Sequence, residues 1–141
     1  MRDPNRLDEI YEHIKERHKT LHPSRGIMGL LKDMTQWAVY NKIDLFYLED
    51  DKVIETFDKY SDERGKDFEF NIGPRNSHPE RLDMPYQYLC SIHKSNFPDW
   101  RFFQLMINFM DDYGKNCVSF LDDGDYLYDS FNAFIKKVTN G

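Results

Sequence analysis

Two acidic clusters are the residues of this chain best suited to chemistry. Their members are Glu49, Asp50 and Asp51 in the first cluster and Asp122, Asp123 and Asp125 in the second. Three carboxylates on one tight loop could ligate Mg²⁺ or Ca²⁺, because these hard ions prefer oxygen ligands. The spacing does not match a calcium-binding loop, which needs alternating acids, a glycine and a closing glutamate at fixed positions.

The position of both clusters just before a helical pattern offers a structural alternative. Carboxylates at a helix N-terminus accept hydrogen bonds from free N–H groups and oppose the positive end of the helix dipole. Capping is therefore the favoured interpretation of both clusters, with an acidic contact patch and a metal site as the alternatives. No metal ion or other cofactor is predicted.

The histidines form a second candidate constellation. His18 and His22 lie one helical turn apart, a spacing that a metal can use if a carboxylate joins them. His93 occupies the position equivalent to His18 in a repeated sequence pattern described below. That equivalence favours packing between helices over metal binding.

An aromatic segment supplies the third candidate site. Trp100 and Arg101 are neighbours, and Gln104 follows within the same helical pattern. Trp and Arg are typical anchors of protein interfaces. The alternative is that Trp100 covers one end of the core while Arg101 pairs with a carboxylate, and the sequence leaves both interpretations open.

Familiar catalytic patterns are missing from the sequence. Cys90 and Cys117 lack metal or redox spacing and are interpreted as small buried hydrophobes. No serine has the setting of a nucleophile elbow, and no glycine-rich loop follows a strand pattern. The sequence leans away from an enzyme without excluding one.

Composition limits the classes of partner. The 141 residues carry a net charge of −6, and 16% of them are aromatic, which is enough apolar area for a buried core. Without a Lys/Arg cluster to release counterions, direct nucleic-acid binding is not expected. With no signal peptide and no long apolar run, we expect a cytoplasmic protein with no membrane association.

The chain contains an internal repeat. Residues 4–8, Pro-Asn-Arg-Leu-Asp, return as residues 79–83, Pro-Glu-Arg-Leu-Asp. The same offset relates further pairs, which are Tyr11 and Tyr86, His18 and His93, and Leu30 and Leu105. A repeat of this length predicts two similar structural units, one scaffold used twice.

Apolar residues within each unit recur at helical spacing in three segments. The sequence therefore predicts a mainly α fold of about six helices, arranged as two pseudo-symmetric three-helix units packed as one globule. The predicted units are residues 1–60 and 81–141, with a linker at residues 61–80. Within the linker, residues 67–72 alternate between polar and apolar types, which indicates an extended segment.

Three segments of the chain resemble an uncharacterised family of small bacterial and phage proteins. Its Met-Arg-Asp-Pro-Asn-Arg opening stands at residues 1–6, a Phe-Tyr-x-Glu-Asp-Asp segment at 46–51, and a Pro-Asp-x-Arg-x-x-Gln-Leu segment at 98–105. The resemblance implies a three-helix unit and a bacterial or phage origin. It does not indicate an activity, because none is established for the family. Each copy of the repeat lacks a segment that the other keeps, which suggests either one shared site or only a shared fold.

The leading functional hypothesis is a small acidic protein-interaction module, such as a phage or prophage modulator or inhibitor of a host protein. Its partner would be another protein, with a basic surface as the best fit to the acidic loops. The alternatives are a metal-dependent enzyme that uses the acidic loops and a structural module that forms oligomers, a homodimer among them.

Overall fold

A computed structural model describes residues 3–22, 26–64, 79–116 and 125–140 of the chain. These residues confirm the mainly α fold. They form six α-helices, which are α1 (Arg6–Leu21), α2 (Ile27–Tyr40), α3 (Val53–Arg64), α4 (Asp83–Asn96), α5 (Phe102–Asn116) and α6 (Asp125–Asn140). Short 3₁₀ helices at Asp50–Lys52 and Pro79–Leu82 lead directly into α3 and α4.

Several boundaries differ from the sequence prediction. Helix α3 continues to Arg64, past the predicted end of the first unit at residue 60, and the chain is again helical from Pro79. Helix α5 begins at Phe102, and the chain forms a turn at the preceding Pro98-Asp99 pair, although Pro and Asp are typical of a helix start. The predicted extended segment at residues 67–72 lies outside the described residues.

The helices pack around one aromatic core. Helix α1 contacts α3 and α4, α2 contacts α5, and α5 contacts α6. Edge-to-face ring pairs, a favoured aromatic geometry, recur in this core, and Phe109 of α5 meets Phe131 of α6 at 4.3 Å between centroids. The fully buried side chains include Leu7, Met28, Met34, Tyr60, Phe103, Leu105, Phe109 and Phe131.

The contact between α1 and α4 consists of reciprocal pairs. Tyr11 Oη lies 2.9 Å from His93 Nδ1, and Tyr86 Oη lies 2.6 Å from His18 Nδ1. The repeat offset relates Tyr11 to Tyr86 and His18 to His93, so each half contributes the same two groups. Such reciprocity is the defining property of a two-fold interface.

Two ion pairs on the same helices repeat this reciprocity. Lys94 Nζ lies 2.9 Å from Asp8 Oδ1, and Lys19 Nζ lies 2.9 Å from Asp83 Oδ1. The repeat offset again exchanges the partners of one pair for those of the other. The reciprocal contacts support the prediction of two pseudo-symmetric units, which remains a prediction for the chain as a whole.

Candidate protein-interaction surface

The loop between α2 and α3 begins with a well-formed helix stop. The N–H of Ile43 donates to the carbonyl of Ala38 at 2.8 Å, and the N–H of Lys42 donates to that of Val39 at 3.1 Å. These two bonds define a Schellman motif, with Lys42 at φ 60°, the position that glycine usually occupies. The motif turns the chain sharply out of α2 and directs residues 45–49 toward the start of α5.

Arg101 holds this loop from the second half of the chain. Its Nε and Nη2 atoms donate to the carbonyl of Phe46 at 3.3 and 3.2 Å. Its guanidinium carbon lies 5.9 Å from the ring centroid of Phe46 and 5.3 Å from that of Tyr47, within cation–π range. The partners of Arg101 are thus a carbonyl and two rings. We call Phe46, Tyr47 and Arg101 the aromatic–arginine cluster.

Tyr47 is the exposed member of the cluster. Its side chain is 66% exposed, yet its ring meets the ring of Phe46 edge to face at 5.0 Å and faces the Arg101 guanidinium. An exposed tyrosine would ordinarily lose several rotamers on binding a partner. Contacts on two sides restrict this side chain before any partner arrives.

Gln104 and Trp100, which lie in the same segment as Arg101, make separate contacts. Gln104 Oε1 accepts a hydrogen bond from the Arg101 N–H at 3.1 Å. Arg101 is the residue before α5 and Gln104 the third in the helix, so this bond is one half of a capping box. Trp100 is half-buried and packs its ring 4.7 Å from that of Phe97.

The first acidic cluster divides into one structural and two exposed carboxylates. Asp50 Oδ1 accepts from the Phe102 N–H at 2.8 Å, and its Oδ2 lies 2.5 Å from Arg6 Nε. Asp50 therefore caps a helix, as predicted for the cluster, but the helix is α5 of the other half rather than α3. Glu49 and Asp51 lie on either side of Asp50 with exposed side chains.

Arg6 connects three segments that lie far apart in the sequence, which are residues 1–6, 46–51 and 98–105. Besides its ion pair with Asp50, it donates from Nη1 to the carbonyl of Pro98 at 2.9 Å and from Nη2 to that of Trp100 at 2.8 Å. Residue 6 belongs to the first segment, residue 50 to the second, and residues 98 and 100 to the third. The two halves of the chain thus build one composite region.

The structure places the remaining candidates elsewhere or leaves them undescribed. Asp122 and Asp123 lie outside the described residues, and of Asp125 the structure describes the backbone, which begins α6. The sequence prediction of the site had omitted Arg6, Phe46 and Tyr47. No local pattern in the sequence marks these three residues as a site, because their contacts depend on the tertiary fold.

A groove runs along α1 and α4, with a volume of about 520 Å³. Cys90 lines it beside Asp8, whose carboxylate lies 3.6 Å from Sγ. Burial, and after it the negative charge of Asp8, raises the pKa of the Cys90 thiol to about 11. A thiol with this pKa is protonated at neutral pH, so the groove does not supply an activated nucleophile. Cys117 lies outside the described residues.

Metal binding and membrane crossing can be examined only in the described parts of the chain. Within residues 3–22, 26–64, 79–116 and 125–140, no group of three or more His, Cys, Asp or Glu side chains is arranged to hold a metal ion. In the same residues, no helix has both the length and the apolar character needed to span a bilayer.

Comparison with known proteins gave no relatives: searches of protein families, of curated proteins and of solved structures each found no match to this chain. Function must therefore be inferred from the contacts and charges of the chain itself.

Proposed function

We propose that this chain is a protein-binding module, and that the aromatic–arginine cluster with Glu49 and Asp51 is its contact surface. The observation that carries the proposal is the restraint on Tyr47, a largely exposed ring held by a guanidinium and a second ring. Tyrosine and arginine are enriched at the energetic centres of protein interfaces. A side chain already restrained in the free protein loses less entropy on binding.

The charges beside Tyr47 specify the kind of partner. Glu49 and Asp51 are exposed and lie near Tyr47 in the sequence, and Asp50 between them contacts Arg6 and the start of α5. Together with the net charge of −6, these carboxylates favour a protein segment rich in lysine and arginine. Rim charges of this kind mainly raise the association rate and make binding sensitive to salt.

A random peptide library panned on the immobilised full-length protein tests the proposal and does not require an identified partner. We expect enriched peptides that combine basic and apolar residues and bind less tightly as salt is raised. Tyr47→Ser should weaken their binding at least tenfold, as expected when an interface anchor is removed. Fluorescence anisotropy of one selected labelled peptide measures this change.

Met84→Ser provides a matched control. Met84 lies on α4 and is 66% exposed, the same fraction as Tyr47. The control should bind the selected peptide as tightly as the unmodified protein. Equal binding by Tyr47→Ser and Met84→Ser would contradict the proposed surface, and enrichment of acidic peptides would contradict the proposed partner chemistry.

A further inference from the structure

The contact between α1 and α4 contains buried titratable groups that the proposed surface does not use. His18 and His93 are fully buried, and each places Nδ1 against the hydroxyl of a tyrosine on the opposite helix. Helices α1 and α4 belong to different halves of the repeat. The halves are therefore held together in part by imidazoles, the side chains that change charge most readily near neutral pH.

The partners of His93 fix its protonation state. Nε2 lies 2.8 Å from the carbonyl oxygen of Trp100, which can only accept, so Nε2 carries a proton. Nδ1 lies 2.9 Å from Tyr11 Oη and, in a neutral ring, accepts the phenolic proton. Both nitrogens are satisfied by the neutral imidazole in a single tautomer.

Protonation of His93 disrupts this hydrogen-bond pattern. A second proton on Nδ1 would face Tyr11 Oη, and the phenol would then have to direct its own proton elsewhere. The Tyr11 side chain is buried, with Phe102 edge to face at 5.0 Å, and the pKa of Tyr11 is itself raised well above its ordinary value, mainly by burial. A buried hydroxyl that loses its acceptor destabilises the folded state.

Burial is the largest effect on His93, and it lowers the pKa of this imidazole to about 4. The groups around the ring come from three elements and do not compensate for its burial. The carbonyl of Trp100 and the carboxylate of Asp50 in the 3₁₀ helix favour a positive charge on the ring, and Arg6 of α1 opposes it. Within one helical turn of His93 on α4, the titratable residues are Cys90 and Lys94.

We propose that the α1–α4 contact is an acid-sensitive joint, in which protonation of His93 breaks its hydrogen bond with Tyr11 and loosens the packing of one half of the chain on the other. The direction of the pH dependence follows from the pKa of His93 in the folded and unfolded states. The unfolded histidine binds a proton near pH 6.5, whereas the folded one resists it until about pH 4. Stability is therefore lost as pH falls from 6.5 toward 4.

Urea unfolding of the full chain between pH 7.5 and 4.5 tests the joint against two variants. His93→Gln keeps an acceptor for Tyr11 and a donor for Trp100 but has no titrating group. Over this range the folding equilibrium constant of the unmodified protein should fall on the order of fifty- to a hundredfold further than that of His93→Gln. His13→Gln is the control for removing a histidine outside this contact, because His13 pairs with Asp58 of α3 rather than with α4.

An NMR titration of the histidine rings in the unmodified protein provides a second measurement that needs no variant to fold. We expect one imidazole to titrate near pH 4, with simultaneous shifts of amide signals from α1 and α4. Equal pH dependence of His93→Gln and the unmodified protein would overturn the proposal. So would a His93 midpoint near its ordinary value of about 6.5 with the amide signals of α1 and α4 unmoved.

Discussion

Arg6 Nε and Asp50 Oδ2 form an ion pair of 2.5 Å between the start of α1 and the 3₁₀ helix before α3, with side chains only 18% and 7% exposed. Asp50 uses its other oxygen to cap α5, and Arg6 also donates to the carbonyls of Pro98 and Trp100. These two side chains thereby join three segments that are far apart in the sequence. They also position the backbone of Arg101, whose guanidinium group contacts the Tyr47 ring.

Replacing Asp50 should therefore destabilise the protein far more than replacing its neighbour. Asp50→Ala leaves the largely buried Arg6 guanidinium without its counter-ion and the Phe102 N–H without this acceptor. We expect a loss of about 3 kcal/mol in the free energy of unfolding, the range for breaking a buried pair. Urea unfolding at pH 7 provides the measurement.

Asp51→Ala is the natural control for this measurement, since Asp51 is an exposed acid in the same 3₁₀ helix. Its replacement should change the free energy of unfolding by less than about 0.5 kcal/mol. Similar losses of stability in the two variants would mean that Asp50 contributes through its negative charge alone rather than through its specific contacts.

The reciprocal tyrosine–histidine pairs predict matched mutational effects. Tyr11→Phe and Tyr86→Phe each remove one hydroxyl from the α1–α4 contact and leave a buried imidazole nitrogen without its partner. Each substitution should cost about 1–2 kcal/mol, and the two costs should agree within about 0.5 kcal/mol. Thermal or urea unfolding compares them directly.

Tyr40→Phe sets the baseline for these phenolic substitutions, because Tyr40 is 86% exposed at the end of α2. It should leave stability unchanged within about 0.5 kcal/mol. One of the two variants, Tyr11→Phe or Tyr86→Phe, could lose as little stability as Tyr40→Phe while the other loses much more. In that case the two tyrosine–histidine contacts would not be energetically equivalent.

Lys42 offers a stabilising substitution. Its φ of 60° places a side chain in the left-handed region, where a Cβ atom is strained against the backbone. Lys42→Gly should raise the free energy of unfolding by about 1 kcal/mol, because glycine adopts this conformation without that strain. Lys42→Ala removes the same side chain but keeps the Cβ, so a comparable gain in both variants would exclude relief of backbone strain as the cause.

The raised pKa of Cys90 predicts slow alkylation. At pH 8 the thiolate fraction of a group with a pKa of about 11 should be on the order of a hundredfold below that of an unperturbed cysteine. Iodoacetamide labelling followed by peptide mass spectrometry measures the rate at Cys90, with glutathione as the reference thiol. Labelling as fast as that of glutathione in the folded protein would contradict the raised pKa and partly buried environment assigned to this thiol.

The helical elements could be predicted well from the sequence, because their signals are local. The stripe of Leu7, Ile10, Tyr11 and Ile14 lies buried on α1, as its spacing predicts. Boundaries were less accurate where the deciding contact was distant. The Pro98-Asp99 pair resembles a helix start, yet α5 begins at Phe102, where the N–H meets the carboxylate of Asp50 from the other half of the chain.

The amino-acid sequence by itself determined that this protein is mainly helical, that its two halves share a pattern, and that its charge is negative. Periodicity, repetition and composition are properties of neighbouring or matched residues, so the sequence alone displays them. Only the tertiary structure decided that Asp50 is structural while Glu49 and Asp51 are exposed, and that Arg101 contacts Phe46 and Tyr47. Contacts between residues 44 to 94 positions apart depend on how helices pack, which no local pattern specifies.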